Sequence, residues 1–300
     1  MRPSNYDSEK MKVSSKQVEQ LWQKRRCPEG TIPIIRTQKS DILRKIALDE
    51  NSNAQGMESA KLYVDAENHG GEAFINIWNI YVEPGESSTA SMFVGIKDKP
   101  DLINAGWISD NGGCYNLRCP GFIQTNKNIE IGGTIATVSV YDGEQYSMRV
   151  KIYKLNNSFS KVTILCLSAL EQDQRNDHWW LEHDLGPLGY WPGALFKNMA
   201  TSANLVQWGG QVWNSVPEGH HTTTQMGSGR FSKEGRKKAA FIYNSLYLNL
   251  QDITVDPTLF PTRATKSSCY DVSELETVDQ PPYNIFFFGG PGGINCDEGN

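Results

Sequence analysis

Ser147 to Leu155 reads SMRVKIYKL, with Met148, Val150 and Ile152 on one side of an extended chain and Arg149 and Lys151 on the other. Side chains alternate across a strand with a period of two residues, so this run marks a strand with one buried face and one wet face. One wet face points to an antiparallel sheet, because parallel sheets are covered on both sides. The same period recurs in AKLYVDA (60–66), EAFINIWNIYVE (72–83), SMFVGI (91–96), NIEIGGTIATVSVY (128–141), WWLEH (179–183), VQWGGQVWN (206–214), KKAAFIYNSLYLN (237–249) and NIFFFG (284–289). Runs of this kind, separated by turns such as YDGEQ (141–145), predict an all-β sandwich or barrel. PGALFKNMATSA (192–203) is the one short helix expected within it.

Residues 15–50 differ. Val18, Leu21 and Trp22 share one helical face, and Ser40 can cap a second helix carrying Leu43, Ile46 and Ala47. CPEGTIPIIRT (27–37) is an extended, proline-punctuated link between them, and DENSNAQG (49–56) is a polar boundary suited to proteolysis.

At 300 residues and a formal net charge of −5, the chain can bury a large core and carries no basic field for nucleic acid or anionic lipid. The longest apolar run, VTILCLSAL (162–170), is too short to span a bilayer as a helix, so neither nucleic acid nor a membrane is an expected partner. The first residues, MRPSNYDSEKMKVSSKQ, contain no apolar core of a secretory signal.

Of six cysteines, Cys114 with Cys119 and Cys269 with Cys296 lie in turn-rich contexts suited to disulfides. No zinc-type spacing is present, and the histidine pairs His178/His183 and His220/His221 point to opposite faces of an extended chain; no metal and no cofactor are expected. The glycine clusters GSG (227–229) and GGPGG (289–293) fit turns, not a dinucleotide or phosphate loop. Glycines, aromatics and small polar residues concentrate in QWGGQVWNSVPEGHHTTTQMGSGRF (207–231), the composition of a cleft wall. Trp107, Trp179, Trp180, Tyr190, Trp191, Trp208 and Trp213 are read mainly as core, with some available to stack on prolines or sugar rings.

RCPEGTIPIIRT, GGEAFINIWN, INAGW, GCYNLRCPGFIQTN, GYWP, WGGQV, TTTQMGSGRF, EGRKKAAF, CYDV and FFFGGPGG occur in an order that resembles the plant neprosin family. The resemblance divides the chain into an activation-peptide-like segment (16–48) and a catalytic-type β-sandwich domain (58–300). It implies an extracellular glutamic endopeptidase, made as a zymogen and cleaving peptides after proline under acid conditions. Proline-containing peptides or proteins are the partners it implies. Such chemistry uses two glutamates, one ionised to activate water and one protonated to supply a proton. The aligned residues here are Asn104 in INAGW and Gln211 in WGGQV, with Trp107, Trp208, Gly209, Gly210, Gln225 and Ser228 expected to line the cleft. An amide has no usable proton affinity, so peptidase activity is expected to be impaired, as in a pseudoenzyme. The alternatives are an active peptidase that has recruited Glu86, Asp110 or Glu182, and a cell-wall carbohydrate-binding sandwich with Trp208 or Trp213 as platforms. Two further departures are the short ISDNG link (108–112) and the insertion NSFSKVTILCLSALEQDQRND (157–177).

Overall fold

The computed structural model describes residues 27–35 without 29, 56–110, 115–154 without 119, 177–215, 221–277, and 284–296 without 295. The expected N-terminal helices, the Cys114–Cys119 pair, His220 and nearly all of the 157–177 insertion lie outside these residues.

The chain folds as an antiparallel sandwich of two sheets, confirming the expectation of an all-β fold. Five strands make the smaller sheet: β1 (Met57–Asn68), β3 (Ser87–Gly95), β4 (Leu102–Asp110), β9 (Ala203–Trp213) and β12 (Thr262–Ala264), in the order β12-β1-β9-β3-β4. The larger sheet runs β13-β15-β10-β2-β6-β7-β8-β5, where β2 is Gly70–Asn76, β5 Ile123–Gln124, β6 Ser147–Lys154, β7 Trp179–His183, β8 Gly186–Trp191, β10 Ala240–Leu248, β13 Asp271–Val272 and β15 Asn284–Gly289. Two short strands, β11 (Thr254–Val255) and β14 (Glu276–Thr277), pair with β10 and β15.

The two-residue period decides what lies between the sheets. Leu62, Met92, Val206 and Trp208 of the smaller sheet and Ile75, Val150, Ile152, Phe286 and Phe288 of the larger one belong to a single buried cluster. A Cβ added at Gly71 of β2 would lie 3.1 Å from the Trp208 ring and 3.2 Å from Met92, so glycine there lets the sheets close on the indole. The alternation read in SMRVKIYKL holds: Val150 and Ile152 are buried, while Arg149 faces outward and bridges Glu72 and Glu182 at 2.7 Å each. Cys269 and Cys296 form the expected disulfide, which ties the approach to β13 to the chain beyond β15.

Two expectations do not hold. NIEIGGTIATVSVY is extended but joins no ladder, because Gly132 takes a positive φ of 81° and the backbone turns at Glu130–Gly133. Ile129, Ile135 and Val138 still pack inward, and pairing shrinks to a single bridge at Ile135 and the Ser139 N–H bond to the Ile77 carbonyl at 2.8 Å. PGALFKNMATSA forms only a 3-10 turn at Gly193–Leu195. Its polar groups go elsewhere: the Met199 carbonyl accepts from Trp179 Nε1 at 3.0 Å, and the Asn198 N–H donates to Asp101 at 2.5 Å.

Gly209 fixes the middle of the smaller sheet. Its φ is 151°, and a Cβ there would sit 2.2 Å from the Ala60 carbonyl oxygen. Gly209→Ala is expected to destabilise the fold by about 2–4 kcal/mol, read as a lower urea midpoint with an unchanged slope.

Candidate functional site

The outer face of the smaller sheet carries a grid fixed by register. One row is Tyr63, Gln207, Phe93 and Asn104; the next is Lys61, Gly209, Ser91 and Gly106; the third is Ser59, Gln211, Thr89 and Ile108. Asn104 and Gln211 therefore share a face, but four residues of register separate them along the strands, roughly 13 Å at the strand rise. Gln207 is the residue level with Asn104, two strands away, or roughly 10 Å. Alternation within VQWGGQVWN was the available signal, since 207, 209 and 211 must face together.

Trp208 and Gly210 do not line this face. They have the opposite parity and point into the core, Trp208 fully buried and Gly210 against Met226 and Phe288. Gln225 is tied instead to the chain after β2, accepting from Tyr81 N–H at 3.0 Å, and Ser228 lies in the turn between Gly227 and Gly229. Trp107 points inward and donates to the Asn76 carbonyl at 2.8 Å.

β4 is an edge strand, and a cleft of about 970 Å³ runs along it. Thr89, Ser91, Asn104 and Gly106 line it from the grid, and Trp107 and Glu182 from the space beside it. Ile34 and Ile35 of the proline-punctuated link line the same cleft, and the preceding Pro33 is buried.

Lys61 was not anticipated as a site residue. Its side chain lies over Gly209, whose added Cβ would come 2.9 Å from Lys61 Cγ. The Nζ donates to Gln211 Oε1 at 3.2 Å and Gln207 Oε1 at 3.4 Å, and sits 3.7 Å from the centroid of the Phe93 ring. Burial, with no carboxylate against it among the described residues, lowers its pKa from 10.5 to about 7.

The carboxylates considered as replacements are otherwise engaged. Glu86 is not a solvated turn residue: it is 4% exposed and accepts from Ser215 N–H, Ser215 Oγ, Thr222 Oγ1 and Thr224 Oγ1. Four donors leave its oxygens no free lone pair aimed at a substrate. Glu182 is held by Arg149. Asp110 closes β4, and its side chain is outside the described residues.

Two of the histidines make structural contacts. His178 stacks on Tyr190 with ring centroids 4.3 Å apart, and His221 pairs with Glu58 at 2.9 Å. The metal-type group His221, Cys269 and Cys296 has both sulfurs committed to the disulfide.

A two-sheet antiparallel sandwich with a cleft of mixed polar and apolar lining along the edge of its smaller sheet defines the class of protein. The family model described as Neprosin matches residues 96–291, and the chain belongs to the neprosin family. Asn104, Gln207 and Gln211 fall inside that span.

Two measurements follow. A lysine whose folded pKa lies below its unfolded one binds fewer protons folded than unfolded between about pH 7 and 10.5, so stability rises with pH across that window. The expected slope approaches about 1.4 kcal/mol per pH unit and disappears in Lys61→Met. Glu86→Ala is expected to cost about 2–4 kcal/mol by leaving buried hydroxyls unpaired, with no gain or loss of peptide cleavage.

Proposed function

We propose that this protein is a neprosin-family member whose cleft binds peptides without cleaving them. The reading is carried by the outer face of the smaller sheet, where Asn104 and Gln211, the residues that the resemblance aligns with the family's two glutamates, stand with Gln207 and Lys61 and no carboxylate is placed among them in the described rows. Water activation at acid pH needs an ionised carboxylate, and proton delivery needs a neutral one. Amides do neither. Lys61 also opposes any such chemistry at acid pH, since below about pH 7 it is an ammonium beside both glutamine oxygens.

The peptide part of the reading rests on the cleft's shape. The chain's own Ile34 and Ile35, which follow Pro33, already line it, so it accommodates a segment of polypeptide. Among the described residues no strand pairs with the outer side of β4, whose backbone donors and acceptors are the usual means of holding such a segment. Of the two tryptophans a carbohydrate platform would use, Trp208 is fully buried and cannot stack on a sugar, which leaves only the half-buried Trp213 at the end of β9.

The test is cleavage of a proline-rich protein at acid and neutral pH, read by mass spectrometry. No new termini are expected from the wild type. Restoring Asn104→Glu with Gln211→Glu is expected to stay inert, because Lys61 would hold the new carboxylate ionised. Adding Gln207→Glu and Lys61→Val is the combination expected to give cleavage. Termini after proline from the wild type would defeat the non-cleaving reading.

A further inference from the structure

RFSKEGRKK (230–238) carries five cations and one carboxylate in nine positions, within a chain that totals 29 cations and 34 acids. The segment is firmly held. Ser232 donates its N–H and its Oγ to the two oxygens of Asp271 at 2.6 and 2.9 Å, and the Gly235 carbonyl accepts from the Lys238 and Ala239 N–H groups at 3.3 and 2.9 Å. The YDGEQ turn (141–145) lies against it, with the Asp142 N–H donating to the Lys237 carbonyl at 2.9 Å. Gln145 closes that turn by donating to the Val140 carbonyl at 2.9 Å. Two turns from distant parts of the chain thus form one fixed surface, and a ligand that binds there orders little backbone.

Tyr141 stands at the junction, 46% exposed, beside Val140 at 57%. The Arg230 guanidinium lies 5.0 Å and the Lys238 ammonium 5.7 Å from the Tyr141 ring centroid, while the Tyr141 hydroxyl donates to Glu234 at 3.2 Å. Lys233 takes a similar place 5.8 Å from the Phe231 ring. The rings orient three cations and neutralise none of them. Among the described residues, none of the five cations is in an ion pair with a carboxylate. Cations crowded in this way raise one another's energy, and an anion that they share relieves it. None of these residues lines the cleft.

We propose that this surface binds a linear polysaccharide of uronic acids, outside the cleft and independently of what the cleft holds. Each sugar of such a chain carries a carboxylate, hydroxyls and an apolar ring face, and the surface has a counterpart for each. Arg230, Lys233 and Lys238 take carboxylates, and Val140 with Tyr141 offers apolar area for a ring. Asp142, Glu144 and Glu234 stand in the same two turns and accept from hydroxyls. These three carboxylates decide against nucleic acid: they repel a dense line of phosphates, and a deoxyribose backbone has no hydroxyl to donate to them. An acidic peptide matches the cations but leaves the acceptors without donors.

The experiment uses the full chain in affinity gels and titrations at about pH 6, where uronates are ionised, with four polymers: polygalacturonate, its fully methyl-esterified form, poly-L-glutamate and single-stranded DNA. Polygalacturonate is expected to retard the chain and to release it as salt rises. The methyl ester keeps the sugars and loses the charge, and is expected to bind about 10-fold or more weakly. Arg230→Gln with Lys238→Gln is expected to weaken polygalacturonate about 10-fold. Lys99→Gln with Lys127→Gln, the same charge change at exposed positions elsewhere, is expected to shift it by less than about 2-fold. Tyr141→Ala is expected to weaken polygalacturonate about 3-fold or more and to leave poly-L-glutamate unchanged, with the thermal midpoint of every variant unaltered. Absence of retardation, equal binding of the methyl ester, or an equal loss in both double variants overturns the surface. Poly-L-glutamate or DNA bound as tightly as polygalacturonate overturns the assignment to a uronate chain. Cleft binding and cleavage are read separately and are unaffected by either result.

Discussion

Strand β9 lies between β1 and β3 and touches both along almost its whole length, so its alternation decides which residues become core and which become site. Val206, Trp208 and Val212 must face the larger sheet to fill the core; Gln207, Gly209 and Gln211 must then face out. A slip of one residue would expose a fully buried indole and bury two amides, and Gly209 has no room to permit it. Everything on the outer face inherits its position from this lock, including Asn104, whose level is set through Phe93 of β3.

The lock explains why an unpaired lysine is tolerated at Lys61. A burial penalty is bearable when it is small against a core this large, and Phe93 and the two glutamine oxygens offset part of it. What they do not supply is a charge. The ammonium is therefore less stabilised than it would be in water, and its lowered pKa is the measure of that shortfall.

Much of the fold was legible because the two-residue period is a direct imprint of burial, and SMRVKIYKL, VQWGGQVWN and NIFFFG each became strands. Period alone could not separate an extended chain with a single bridge from a ladder, which is why NIEIGGTIATVSVY was read as a strand. Composition also favoured a helix in PGALFKNMATSA, where tertiary hydrogen bonds from Trp179 and Asp101 took the backbone groups instead. The site was half legible. Motif spacing pointed to Asn104 and Gln211, yet the level of Gln207 depends on pairing through β3, which no local pattern encodes. Lys61 was hidden for a related reason: in AKLYVDA it reads as a solvated lysine on the wet face of a strand, and only its neighbours show that the face is not wet.

Lys61 and the two glutamines are best understood as one electrostatic arrangement. With a glutamate at 211, which the resemblance aligns with a family carboxylate, the ammonium would sit beside it, its own pKa raised and the carboxylate's depressed. That carboxylate would stay ionised at mildly acid pH and could not act as the proton donor that acid–base hydrolysis requires. A lysine at this position works against a protonated glutamate at 211. With amides instead, the oxygens orient the ammonium without neutralising it, and the lowered pKa of Lys61 follows.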